Sequence, residues 1–274
     1  VTHLETFFAH LADQRGVRTG RPPAATTMAM DWRQIKVFYS WMTRREDIPS
    51  NPMKKLGAPE VPEIPVPVLT DNEVRALLDA CSCDHPGRHR HESRPFLRDA
   101  CRFAAKRDLA IIRMWYDTGI RRAEMAGLML AADVQVDEQL ITVTGKGRRT
   151  RTVPYGAKAA ETLDDYLTVR RRHPDRANPA LWLCTPAHGI GALGYDGVAQ
   201  MLVRRSAQAG LPRIYPHQFR HTAADSQFNS GLSEGNAMRI FGWRTRSMCD
   251  RYGAHAAEKR AIEAARKISH ADRI

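Results

Sequence analysis

YPHQFRHTAADSQFNSGLSEGNAMRIFGWRTRSMCDRY, residues Tyr215–Tyr252, is the stretch on which the rest of the chain depends. It reads as a helix start carrying His217 and Arg220, a second short helix ending at Gly242-Trp243, and a polar segment ending in Tyr252. Pro216 suits the first turn of a helix. His217 and Arg220 stand three residues apart, so a helix puts them on one face. That first turn exposes unpaired N–H groups and the positive end of the helix dipole, which favour an anion. Arg220 adds a fork of donors matched to two phosphate oxygens. The Trp243 indole donates one N–H and accepts nothing, so it can bind an anion but not serve as a base. Tyr252 adds a hydroxyl that turns nucleophilic once its oxyanion is stabilised. Together these groups read as a grip on a DNA phosphodiester, with Tyr252 as the attacking group.

Two upstream segments supply more positive charge. In TGIRRAEM, residues 118–125, Gly119 permits a sharp turn and Arg121 falls in the first turn of the next helix. Glu124 can brace that guanidinium, although the same spacing describes an ordinary surface pair worth a few tenths of a kcal/mol, or about 0.3. Farther on, Leu140–Thr144 and Arg151–Val153 flank GKGRR, which predicts a hairpin whose tip carries Lys146, Arg148 and Arg149. Plain hairpin chemistry produces the same turn.

Composition sets the frame. The chain has 274 residues, 43% hydrophobic, with a formal net charge of +12. That length and apolar content fit one large or two ordinary globular domains. The basic balance points to a polyanionic partner, most often nucleic acid. Residues 1–67 carry +2 and residues 68–274 carry +10. No run of about 18 apolar residues spans a membrane, and nothing at the start reads as a secretory signal. A first residue of Val points to an alternative start or an upstream piece. The five cysteines, Cys81, Cys83, Cys101, Cys184 and Cys249, are odd in number and scattered, which fits free thiols in a reducing compartment.

Helical periodicity marks residues 3–15 and 26–45, the latter with Trp32, Ile35, Tyr39 and Met42 as a core stripe ending in Arg44-Arg45. We assign residues 1–60 to a small helical domain that also carries Lys54-Lys55. GAPEVPEIPVP, residues 57–67, is a proline-rich, semi-rigid linker. Thr70-Asp71-Asn72-Glu73 is a capping box that opens the second domain, residues 68–274. Residues 82–95 read as a polar basic loop; their His and Cys lack the paired spacing of structural zinc, so no metal is assigned. Helices follow over 96–118, 156–173 and 195–209. The second ends in Arg170-Arg171-Arg172-His173, and the third presents Arg204-Arg205 as an exposed pair. Leu181–Cys184 is a short strand or buried turn, and 256–268 is a tail helix.

Taken in order, TGIRRAEM, TGKGRR, HQFRHT and FGW followed nine residues later by Tyr resemble the tyrosine recombinase (phage integrase, lambda-integrase-like) family. The resemblance covers residues 68–260. It implies a mainly α (α+β) protein: a SAM-like helical core-binding domain, then a mostly helical catalytic domain with a small antiparallel β-sheet or hairpin, the DNA breaking-rejoining fold. The first domain is short for the family, so one helix is missing or lies upstream. The resemblance further implies that Arg121 and Arg220 grip the scissile phosphate and that Lys146 protonates the leaving 5′-oxygen. His217 would assist proton transfer at the tyrosine, and Trp243 would donate to a non-bridging oxygen. Tyr252 would form a 3′-phosphotyrosine link, and Glu124 would brace. Met125 and Phe219 depart from the usual Leu without change of character.

A phosphodiester transition state spreads charge over its equatorial oxygens, so placed positive donors suffice. The covalent ester conserves the bond energy. No metal, cofactor or ATP is expected. Double-stranded DNA is the expected partner, held also by some of Arg44, Arg45, Lys54, Lys55, Arg148, Arg149, Arg170, Arg171, Arg172, Arg204 and Arg205. A homotetramer on synapsed DNA that exchanges its tail helix, a monomer in free solution, and a prokaryotic cytoplasmic location on the nucleoid complete the expectation. A type IB topoisomerase and a non-catalytic DNA-binding protein of the same fold are the alternatives.

Overall fold

A computed structural model describes residues 2–16, 20–62, 67–82, 95–145, 147–253 and 257–267. The chain divides into two compact units, Val1–Ile64 and Pro65–Ile274.

In the first unit, α1 (Thr2–Asp13) and α2 (Ala25–Arg44) are followed by a 3₁₀ turn at Pro52–Lys55. Asn51 caps that turn by accepting from Met53 N–H at 2.8 Å, and its amide donates to Lys36 O and Ser40 Oγ. This ties the turn back to α2 and buries Met53 completely. Trp32 is buried and Ile35, Tyr39 and Met42 are half-buried, as the stripe predicts. The opposite face of α2 differs: Met30, Val37, Phe38 and Trp41 are exposed.

The second unit holds the rest. Its helices are α3 (Asp71–Asp79), α4 (Pro95–Thr118), α5 (Arg122–Ala126), α6 (Leu130–Asp133), α7 (Ala157–Arg170), α8 (Tyr195–Gln208), α9 (Pro216–Asn229), α10 (Glu234–Phe241), α11 (Ser247–Gly253) and α12 (Ala257–Lys267). Strands β1 (Val134–Gln135), β2 (Leu140–Thr144) and β3 (Thr150–Pro154) form an antiparallel sheet in that order. The Thr70 capping box is present and starts α3.

Helix α4 is the spine. Ile111, Ile112, Met114 and Trp115 are fully buried and join Leu77, Leu163, Tyr166, Met201, Leu202 and Phe219 in one core. Each fully buried aliphatic side chain of this kind contributes roughly 1.5–3 kcal/mol. The sheet packs one face on that core: Ile141 and Val143 point in, and Val153 opposite Ile141 does the same. Beyond the spine, Ala223, Ala224, Phe228, Ala237, Phe241, Trp243, Cys249 and Tyr252 form a second, smaller cluster over α9, α10 and α11.

The polar segment that carries Tyr252 is helical, as α11. The expected small antiparallel sheet is present, with β1 beside the hairpin as its third strand. One expectation changes. Arg170 and Arg205 are buried rather than offered to DNA, because α7 and α8 turn them inward. Arg170 donates to the carbonyls of Arg176, Asn178, Ala180 and Leu181, and Arg205 grips Asp108.

Candidate active site

The site forms where α5, β3, α9, α10 and α11 meet. It begins with Gly119, which ends α4 at φ +57°, a region glycine enters without penalty. An added β-carbon there would lie 2.9 Å from Ala223 Cβ and 3.3 Å from the Arg220 Cα. Only glycine lets α9 approach this closely. The turn places Arg121 at the N-cap of α5 and aims the Gly119 carbonyl at Arg220, whose Nη1 donates to it at 3.0 Å.

Arg220 is 2% exposed. Its Nη2 donates to the Phe241 carbonyl, so two of five N–H donors serve backbone. No carboxylate pairs with it among the described residues. Burial and then the Arg121 charge push its guanidinium down to about 10. A buried cation without a counter-ion is costly unless something anionic comes to it.

The one carboxylate at the site serves other arginines. Glu124 accepts from Arg121 N–H and Nη1 at 2.8 and 3.0 Å. It also takes the Arg151 fork through both oxygens, at 2.8 Å each. Burial alone would raise its pKa, but the Arg151 hydrogen bond and the Arg121 backbone donor overcome that and hold it at about 2. Arg151 Nε also donates to Ile240 O at 2.7 Å. Arg151, which sequence reasoning passed over, therefore clasps β3, α5 and α10 together. Its only sequence signal was an arginine beside a buried Val in a short strand.

Helix α10 ends in a Schellman turn: Gly242 at φ +63° lets Trp243 N–H reach Met238 O at 2.9 Å. This turns the Trp243 ring onto Tyr252, 4.8 Å between centroids and 28° between planes. The Trp243 Nε1 is buried without a partner among the described residues. A buried orphan donor beside a counter-ion-free arginine is a seat for an oxygen anion. The Arg220 guanidinium lies 5.7 Å from the Trp243 ring and 5.8 Å from the Tyr252 ring.

Tyr252 is 5% exposed, and its hydroxyl lies 3.2 Å from His217 Nε2. Burial, then Arg220, Arg251 and Arg121, lower the His217 pKa below its ordinary 6.5. At neutral pH that ring is neutral and can accept the phenol's proton. His221, one turn along α9, was also missed; its ring stacks on Tyr252.

His217, Arg220, Trp243 and Tyr252 thus come together, with Arg121 and Glu124 beside them. Lys146 lies outside the described residues, as do Cys83 and the histidines of the 82–95 loop. Of the other basic candidates, Arg44, Arg45, Lys54, Lys55, Arg148, Arg149, Arg171, Arg172 and Arg204 are exposed.

The phage integrase family model matches residues 67–259. The chain belongs to the phage integrase family. It is 32% identical over 249 residues to tyrosine recombinase XerC of Mycobacterium sp. (strain KMS), covering 88% of this chain and 75% of that relative. Tyrosine recombinase XerC of Bifidobacterium longum (strain DJO10A) is 27% identical over 275 residues, 85% of this chain and 76% of the relative. This chain is a tyrosine site-specific DNA recombinase. The fold agrees. XerH site-specific recombinase bound to palindromic difH substrate matches with TM-score 0.68 at 17% identity, over 95% of this chain and 71% of that one. The Tn1549 transposon integrase in complex with transposon right end DNA matches with TM-score 0.61 at 20% identity, over 97% and 93%. Among the described residues no helix is long and apolar enough to cross a membrane.

Proposed function

We propose that Arg121, Lys146, His217, Arg220, Trp243 and Tyr252 carry strand cleavage and rejoining. The observation that carries the reading is the Tyr252 hydroxyl set on a neutral His217 beside a buried arginine that lacks a carboxylate. Tyr252 Oη attacks the phosphorus of one phosphodiester as its proton passes to His217 Nε2. The bond to the 5′-oxygen breaks, and Lys146 protonates the leaving oxygen. Arg220, Arg121 and the Trp243 N–H meet the charge on the non-bridging oxygens. The 3′-phosphotyrosine ester keeps the energy of the broken bond, so the 5′-hydroxyl of another strand reverses the attack without ATP. Two guanidiniums and an ammonium supply the positive charge that a divalent ion supplies elsewhere, so full activity is expected in EDTA.

The first unit serves as the core-binding domain, and residues 57–67 link it to the catalytic domain, 68–274. The exposed arginines and lysines on both units position double-stranded DNA. Helix α12 has described side chains that are all exposed, Ile262 among them, which supports docking of this tail on a neighbouring protomer in a homotetramer on synapsed sites. The enzyme acts on DNA in the prokaryotic cytoplasm.

Tyr252→Phe is expected to abolish covalent attachment to nicked DNA while leaving DNA binding intact. Equal covalent capture by that variant would remove Tyr252 from its role. Sequencing DNA ends captured covalently from the host identifies the target.

A further inference from the structure

The nucleophile is held by more than its hydrogen bond. His221 lies 4.0 Å from the Tyr252 ring centroid with 24° between planes, the closest ring pair of the site. It is 3% exposed. Its ring meets the His217 ring edge-on at 4.9 Å, and His217 in turn meets Tyr252 edge-on at 5.7 Å. The three rings brace one another, and α9 supplies two of them from successive turns.

Its Nε2 does not explain the presence of His221. Nε2 is buried with no partner among the described residues, an arrangement that destabilises a fold when a polar atom is left unpaired. What the ring does use is its face. Burial, then His217, Arg251 and Arg220, push its pKa down to about 4. The ring is therefore neutral beside two arginines and stacks without adding charge to the phosphate site. Tyr252 rides on a seven-residue helix, α11, and its ring stacks on His221 and on Trp243.

We propose that His221 is a positioning residue for strand cleavage, whose imidazole face holds the Tyr252 ring where its hydroxyl meets His217. The inference rests on Tyr252 being the nucleophile. A displacement of about 1 Å in a reacting group costs on the order of 10²-fold in rate, so a small loss of ring support is read directly in the chemical step.

The test is single-turnover covalent capture, at saturating enzyme, on a nicked duplex of the target recovered from the host. His221→Leu keeps the volume and removes the flat face. His221→Phe keeps the face and removes both nitrogens. His221→Leu is expected to cleave about 10- to 100-fold more slowly with unchanged DNA affinity, and to be cut faster by trypsin after Arg251 in the absence of DNA. His221→Phe is expected to cleave near the wild-type rate, with the same acid limb in its pH profile, because the imidazole stays uncharged where His217 titrates. Wild-type cleavage by His221→Leu overturns the proposal. So does a His221→Phe variant that folds and cleaves about 10-fold or more slowly than the wild type, since the nitrogens would then be what matters; this arm stands even where the leucine variant fails to fold. Tyr252→Phe separates the two readings: adduct formation by that variant defeats the nucleophile assignment, whereas its silence together with a fast His221→Leu defeats only the platform.

Discussion

Two arginines of the catalytic unit are equally hidden and unequally served. Arg205, under α4 and α8, is 1% exposed; Arg220, at the site, is 2% exposed. Arg205 grips Asp108 with Nε and Nη2 at 2.9 and 2.7 Å and gives Nη1 to Ala80 O. Burial would lower its pKa, but Asp108 prevails and raises it. Asp108 also holds Arg107 through its other oxygen. Arg220 hydrogen-bonds only backbone carbonyls among the described residues, and burial together with the Arg121 charge outweighs the more distant Glu124, so its pKa falls. One arrangement has its counter-charge built in; the other is left without a paired carboxylate among the described residues, and in the proposed reaction the phosphate supplies it. Burial alone does not tell a structural arginine from a functional one. The partner does.

The comparison can be broken or sharpened in five ways. Asp108→Ala strands two buried guanidiniums and is expected to destabilise the fold by about 3–5 kcal/mol, read by denaturant melts, while the folded fraction cleaves DNA normally. Arg220→Ala is expected to do the reverse. Cleavage falls about 10²–10³-fold, while stability moves by about 1 kcal/mol or less, since lost carbonyl bonds and relieved desolvation oppose each other. A tenfold or smaller loss of cleavage would mean that Arg220 is not at the phosphate.

Acid sharpens the contrast. Glu124 has a folded pKa near 2 against an ordinary 4.5. A carboxyl depressed on folding contributes stability that is whole above the ordinary value and is lost as pH falls through the folded one. Acid melts should therefore show Glu124-dependent loss between about pH 4.5 and 2, absent in Glu124→Gln. His217 also has a lowered folded pKa, so cleavage should keep its rate until pH drops below about 6.5 and then decline. The smallest effect is anion binding. Sulfate at its Kd should stabilise the wild type by about 0.4 kcal/mol, and Arg220→Ala should lose that increment.

How much of this was readable from residues alone follows from where each constraint lives. His217, Arg220, Trp243 and Tyr252 sit within one short stretch, and their chemistry restricts residue type, so the sequence displays them. Helices with a continuous apolar stripe and a capping box were equally plain, α3 and α4 among them. Arg170 and Arg205 were misread because a run of charge looks like a surface, whereas their neighbours Arg171, Arg172 and Arg204 are exposed. Helical spacing told otherwise: Ala159, Leu163, Tyr166 and Arg170 share an inward face, as do Val198, Leu202 and Arg205. Arg151 left no comparable sign, because its partners Glu124 and Ile240 lie 27 and 89 residues away and are brought to it by tertiary packing. His221 was hidden in plain view, one turn beyond two residues that already accounted for the motif. The helical state of α11 was missed because a seven-residue polar segment has too few turns to show a period.

The Glu124 clasp has a consequence for when the enzyme becomes dangerous to DNA. One carboxylate satisfies the guanidinium beside the first phosphate-binding turn and the guanidinium of the strand next to the hairpin, and that strand's arginine in turn holds the last turn before Trp243. Three distant portions of the polypeptide are thereby made interdependent, so loosening any one withdraws support from the other two. Such an arrangement behaves as an interlock: in the proposed reaction, freeing any one of the three portions, as in Glu124→Gln, is expected to weaken cutting by the whole centre.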